Sequence, residues 1–145
     1  MERITHSSAE TEALARELAK ALRPGDVLAF RGGLGAGKTA FVRGLAQAMA
    51  PDAEVSSPTF ALVNEYQGQI PLWHFDMYRI TSLEDVASTG FFDYLEMGGV
   101  LAVEWSEHIE PALPEGTIFI TIGRPPEGGE NDRIITIDGM EGRIS

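Results

Sequence analysis

The segment Asp26-Val27-Leu28-Ala29-Phe30-Arg31 runs straight into Gly32-Gly33-Leu34-Gly35-Ala36-Gly37-Lys38-Thr39, and a helix-compatible stretch follows over residues 38–50. The eight-residue segment fits G-x-x-x-x-G-K-[ST], and its position between a strand and a helix is the context that gives the pattern physical meaning. Glycines let a backbone wrap closely around an anion, with the N–H groups of the loop and of the helix start pointing at it. Lys38 is then placed to reach the terminal phosphates of a nucleotide, and the Thr39 hydroxyl to hold Mg²⁺. Lys38 is one of only two lysines in the chain, so the match does not arise from a lysine-rich background. A strand, loop and helix of this kind need a sheet beside them and helices over it, which makes an α/β fold the expectation.

The remaining pattern agrees. A short strand over residues 3–6 leads to Ser7 and Glu10, which have capping-box spacing, and a helix follows with apolar positions Leu14, Ala15, Leu18, Ala21 and Leu22, stopped at Pro24-Gly25. Residues 60–66 and 70–76 read as an antiparallel hairpin around Gln67-Gly68-Gln69. Helical turns are expected over residues 83–88 and 91–96, and an apolar strand over residues 99–104 ends in Glu104 and Trp105. Two last strands, residues 117–122 and 133–138, flank a Pro/Gly-rich loop. The whole predicts a three-layer α/β fold with a mixed parallel and antiparallel sheet of about seven strands. At 145 residues, with that loop too near the end to divide domains, residues 1–145 read as one domain.

Charge and composition exclude several functions. The net charge of -11 is lopsided: residues 1–79 hold 9 acids and 8 bases, residues 80–145 hold 13 acids and 3 bases, and residues 80–123 contain no Lys or Arg. Glu84, Asp85, Asp93, Glu96, Glu104, Glu107, Glu110 and Glu115 make this stretch an expected acidic face, suited to a basic protein partner and repelled by phosphate backbones. With no cysteine there is no disulfide, thiolate metal site or Cys nucleophile. The start of the chain lacks signal-peptide features, and no run is long and apolar enough to span a bilayer, so the expectation is a cytoplasmic protein without a membrane partner.

Three further segments carry candidate chemistry. In Ser56-Ser57-Pro58-Thr59-Phe60, Thr59 is a hydroxyl in the region where P-loop proteins sense the γ-phosphate and metal. In Trp73-His74-Phe75-Asp76-Met77-Tyr78-Arg79, strand alternation puts His74, Asp76 and Tyr78 on one face and Trp73, Phe75 and Met77 on the other. Asp76 could bind Mg²⁺ through water or orient an attacking water. Glu104 ends its strand where P-loop proteins place a metal-side acid. His6, His74 and His108 lack zinc-ligand spacing.

Taken together, Gly35-Ala36-Gly37-Lys38-Thr39, Ser57-Pro58-Thr59-Phe60, His74-Phe75-Asp76-Met77-Tyr78-Arg79 and Val103-Glu104-Trp105 resemble the TsaE (YjeE) family in order and spacing over nearly the whole chain. The resemblance implies a P-loop ATPase of bacterial tRNA threonylcarbamoyladenosine synthesis, weak alone and stimulated by its partners TsaD and TsaB, with tRNA reached only through them. It implies ATP and Mg²⁺ as cofactors, catalytic roles for Lys38, Asp76 and Glu104, and Thr39, Asp76 and Glu104 as the metal side. Nucleotide contacts are implied for Thr11, Gly32, Gly33, Leu34, Gly35, Ala36, Gly37, Lys38, Thr39, Thr59 and Trp105. Gly33 departs from the pattern, since Asp is expected there, which puts one loop contact in question but not phosphate binding. Two other functions compete: a small-molecule P-loop kinase whose lid would carry Arg124 and Arg133, and a module that senses ATP without hydrolysing it.

Overall fold

The computed structural model describes residues 1–31, 37–51, 63–77, 80, 82–104 and 109–143. Seven strands, β1 (Glu2–Thr5), β2 (Val27–Arg31), β3 (Val63–Tyr66), β4 (Leu72–Asp76), β5 (Val100–Glu104), β6 (Ile118–Gly123) and β7 (Arg133–Asp138), form one sheet in the order β1-β7-β6-β2-β5-β4-β3. The four inner strands β6, β2, β5 and β4 run parallel, and β7, β1 and β3 pair antiparallel at the two sides. The sheet is therefore mixed and seven-stranded, as the sequence pattern predicts.

Burial follows strand position. In β2 and β5 the first four residues are all buried, which is why both read as unbroken apolar runs. β6 alternates buried with open residues, as a strand covered on one face does. Over one face lie α1 (Ser8–Ala19) and α2 (Lys38–Met49). Their Leu18, Phe41 and Leu45 join Leu28, Phe30, Leu72, Ala102, Ile118, Ile120 and Ile137 of the sheet in one core. Phe30 and Phe41 meet edge to face with centroids 5.6 Å apart. The other face carries α3 (Leu83–Ser88) and α4 (Phe91–Leu95), where Val86 and Phe91 cover Val27, Trp73, Phe75, Leu101 and Val103.

The two larger helices approach closely at Gly44, where a Cβ would lie 2.4 Å from the Glu12 carbonyl oxygen and 2.8 Å from Ala15 Cβ. Polar links run along the same seam: Arg43 pairs with Glu12 at 3.6 Å, and Arg16 donates to Gln47 at 2.7 Å. Helix α1 is shorter than its sequence suggests. It ends at Ala19, and Ala21 and Leu22 follow in tight turns, with Leu22 still buried in the core. Apolar spacing reports which residues face the core and not where the helical hydrogen bonds stop. No described helix is long and apolar enough to cross a membrane.

Candidate functional site

Helix α2 begins differently from α1 and α3. Ser7 caps α1, its hydroxyl accepting from Glu10 N–H at 3.1 Å, and Ser82 caps α3 in the same manner. Both helices carry acids in their first turn. Helix α2 starts at Gly37 with no side-chain cap and no acid in its first turn. A helix N-terminus carries the positive end of the helix dipole, which favours an anion, and Lys38 adds a full positive charge there. Gly37 has φ +124°, which side chains rarely adopt, and a Cβ would come within 3.1 Å of Ile122 Cγ2. Lys38 is only 4% exposed, while Thr39 behind it faces solvent.

A cleft of about 200 Å³ opens beside this helix start, lined on one side by Gly37, Thr39, Ala40 and Arg43 and on the other by Ser7, Ser8, Thr11, Asn131 and Arg133. Thr11 is 1% exposed, shares a 2.7 Å hydroxyl contact with Thr5 and donates its N–H to the Ser7 carbonyl at 3.1 Å. Thr11, Gly37 and Thr39 are thus brought onto one cleft from separate parts of the chain. Arg43 and Asn131 join them without a sequence signal of their own, as does Arg133, which the sequence offers only as a lid residue of the competing kinase reading. Arg133 opens β7, and its guanidinium donates to the Glu130 and Asp132 carbonyls at 2.7 Å each. The same wall is tied by His6 Nδ1, 2.8 Å from Asp132 Oδ1. That hydrogen bond and the paired charge raise the His6 pKa. Asp132 is held low, first by the Gly129 N–H and then by His6.

The acids form a second group at the C-terminal ends of the parallel strands. Asp76 and Glu104 are register partners on β4 and β5. Residues at even positions of both strands turn toward α1 and α2, as Leu72, Val100 and Ala102 show by their place in that core. Trp73, Phe75 and Met77 are buried on the opposite side, as alternation requires. Asp76 is exposed, whereas Glu104 is half-buried beside His74, whose Nε2 lies 3.2 Å from Glu104 Oε2. The two groups do not meet at hydrogen-bond angles, so this is a close polar contact inside the site rather than a formed bond. Two carboxylates and the Thr39 hydroxyl are hard oxygen donors, a set that suits Mg²⁺ far better than zinc. Among the described residues no cluster of three His, Cys, Asp or Glu side chains could hold a metal. Lys38, Asp76 and Glu104 do not line the cleft. Gly32, Gly33, Leu34, Gly35, Ala36, Thr59 and Trp105 lie outside the described residues.

Comparison with known proteins places the whole chain. The family model for the threonylcarbamoyl adenosine biosynthesis protein TsaE matches residues 5–133. The tRNA threonylcarbamoyladenosine biosynthesis protein TsaE of Bacillus subtilis is 39% identical over 135 residues, covering 92% of this chain and 82% of its own. The protein of that name from Aquifex aeolicus is 45% identical over 114 residues, covering 74% and 78%. The crystal structure of Bacillus subtilis YdiB superimposes with a TM-score of 0.74 at 36% identity, over 94% of this chain and 83% of that one. The seven-stranded mixed sheet therefore comes with matching sequence across most of the chain, which belongs to the TsaE family of threonylcarbamoyl adenosine biosynthesis proteins.

Proposed function

We propose that this protein is a magnesium-dependent ATPase of the cytoplasm that works with TsaD and TsaB in placing the threonylcarbamoyl group on the adenosine beside the anticodon of tRNAs. The observation that carries the reading is the glycine-led start of α2, where Gly37, Lys38 and Thr39 stand together and Gly37 and Thr39 line a cleft that reaches Thr11. Phosphates would lie against the helix start, with the rest of the nucleotide in the cleft toward Thr11. Magnesium, when bound with the nucleotide, would offset charge on the β- and γ-phosphates. Lys38 supplies positive charge to the same oxygens, and its burial strengthens that interaction relative to one in bulk water. Asp76 and Glu104, side by side, are suited to hold the metal side and to orient an attacking water.

The test is phosphate release from ATP by the chain alone and with purified TsaD and TsaB, each with and without Mg²⁺. The reading expects slow release alone, clear stimulation by the pair and none without Mg²⁺. Transfer of phosphate only to an added small acceptor would replace it with a kinase. Tight ATP binding with no release under any of these conditions would replace it with a sensing module.

A further inference from the structure

Four large hydrophobic side chains are exposed among the described residues, and three of them, Leu83, Phe92 and Met97, fall within residues 83–97. Leu83 starts α3, Phe92 lies in α4 and Met97 in the turn after it. Both helices satisfy the core with other residues, Val86 and Phe91 being fully buried against the sheet. Leu83, Phe92 and Met97 are 55%, 42% and 63% exposed. Scattered single exposures need no explanation, but two on one pair of short helices and a third in the turn that follows leave apolar area that the fold does not use.

The structure also sorts the acids that sequence alone lumps together. Glu104 is turned to the face of α1 and α2, beside His74. Glu110 is engaged by Arg31 at 2.7 Å, with the guanidinium also stacked 4.0 Å over the Phe119 ring. Glu84, Asp93 and Glu96 remain exposed on α3, α4 and the residue that follows, interspersed with Leu83, Phe92 and Met97. No Lys or Arg occurs anywhere in residues 80–123.

That charge selects the occupant. RNA and an anionic lipid surface are repelled by it. A second copy seated face to face would bring the same acids against these, which is unfavourable. We propose that α3, α4 and Met97 form a docking face for a protein surface of Lys and Arg residues around an apolar pocket. Leu83, Phe92 and Met97 are the anchors, and Glu84, Asp93 and Glu96 steer the approach. Apolar anchors set how long such a complex lasts, and rim charges set how fast it forms.

The test rests on the partner reading given above and uses the purified TsaD–TsaB pair as the probe. Association of the full chain is followed by interferometry at about 0.1 M and about 1 M salt, where the Debye length is about 10 Å and about 3 Å. The variant Glu84→Lys/Asp93→Lys/Glu96→Lys should associate about tenfold more slowly at the lower salt, with the difference shrinking at the higher. The variant Phe92→Ser/Met97→Ser should keep the wild-type on-rate and dissociate about tenfold faster. ATP binding by each isolated variant should match wild type and so confirm its fold, and either variant decides the question by itself. Wild-type rates from a folded variant would show that this face is not used, while leaving the partner reading intact. Absence of any binding by the wild-type chain would overturn the partner reading and this face with it.

Discussion

At the first turn of α2 a lysine that is 4% exposed sits directly before a threonine that faces solvent. Burying a cation is costly unless its charge is used, and a helix N-terminus is an unfavourable place for one in electrostatic terms. Lys38→Ala should therefore abolish ATP turnover, by about a hundredfold or more, without lowering the thermal midpoint. Turnover near wild type in the folded variant would remove Lys38 from the phosphate site, and a large drop in midpoint would give it a structural role instead. The pair of His6 and Asp132 makes a different residue-scale claim. His6 lies above its ordinary 6.5, so its contribution is complete below that value and is lost as pH rises through the folded-state value. Asp132 lies below its ordinary 3.8, so its part is present above that value and is lost as pH falls through the folded-state value. The contact is thus fully made between pH 3.8 and 6.5. In an NMR titration the His6 midpoint should fall back toward 6.5 in Asp132→Asn, and an unmoved midpoint would break the link. Lys38 and Thr39 are legible in sequence because a phosphate loop is made by consecutive residues. Arg43 and Asn131 are not, because only the packing of α1, α2 and β7 brings them to the cleft.

Elements obey the sequence where hydrophobic pattern decides them and depart from it where local hydrogen bonding does. The unbroken runs of β2 and β5 announce strands covered on both faces, and both are. The hairpin of β3 and β4 is legible from the turn between its strands and pairs in the register Val63↔Phe75 to Tyr66↔Leu72, with β4 starting at Leu72 rather than at residue 70. Helix α1 stops before its apolar spacing does, since the turns at Ala21 and Leu22 keep those side chains inward without continuing the helix. Spacing also gives no warning of how close α1 and α2 come. With a Cβ at Gly44 placed 2.4 Å from the Glu12 carbonyl, Gly44→Ala forces the helices apart, although alanine is the better helix former. The variant should lose about 1–3 kcal/mol in chemical denaturation, an overpacking cost larger than the propensity gain of about 1 kcal/mol. A neutral or stabilised variant would mean that the seam yields freely.

For the molecule as a whole, sequence reveals the charge imbalance but not its use, because the acids of one stretch are sent to both faces of the sheet: Glu104 to the site, Glu84, Asp93 and Glu96 to the opposite side. Strand order is likewise hidden, since β1 joins the sheet through β7, the last strand of the chain. That pairing has a consequence for how occupancy of the cleft is felt. Strand β1 is an edge held by β7 alone, with Met1 N–H donating to Ile137 at 3.1 Å, and the cleft is walled by the segments that leave β1 and enter β7. A nucleotide bound as proposed, across both walls, would fasten the strand pair from its open end, like a clasp on a seam. At a hundredfold excess over its Kd it adds about 2.7 kcal/mol against any opening that needs the site empty. Amide hydrogen exchange in β1 should then slow when ATP is present, at residues that do not line the cleft, and unchanged exchange there would show that the seam opens without disturbing the site. Strand β1 would in this way become a reporter of ligand state, readable from the edge of the sheet.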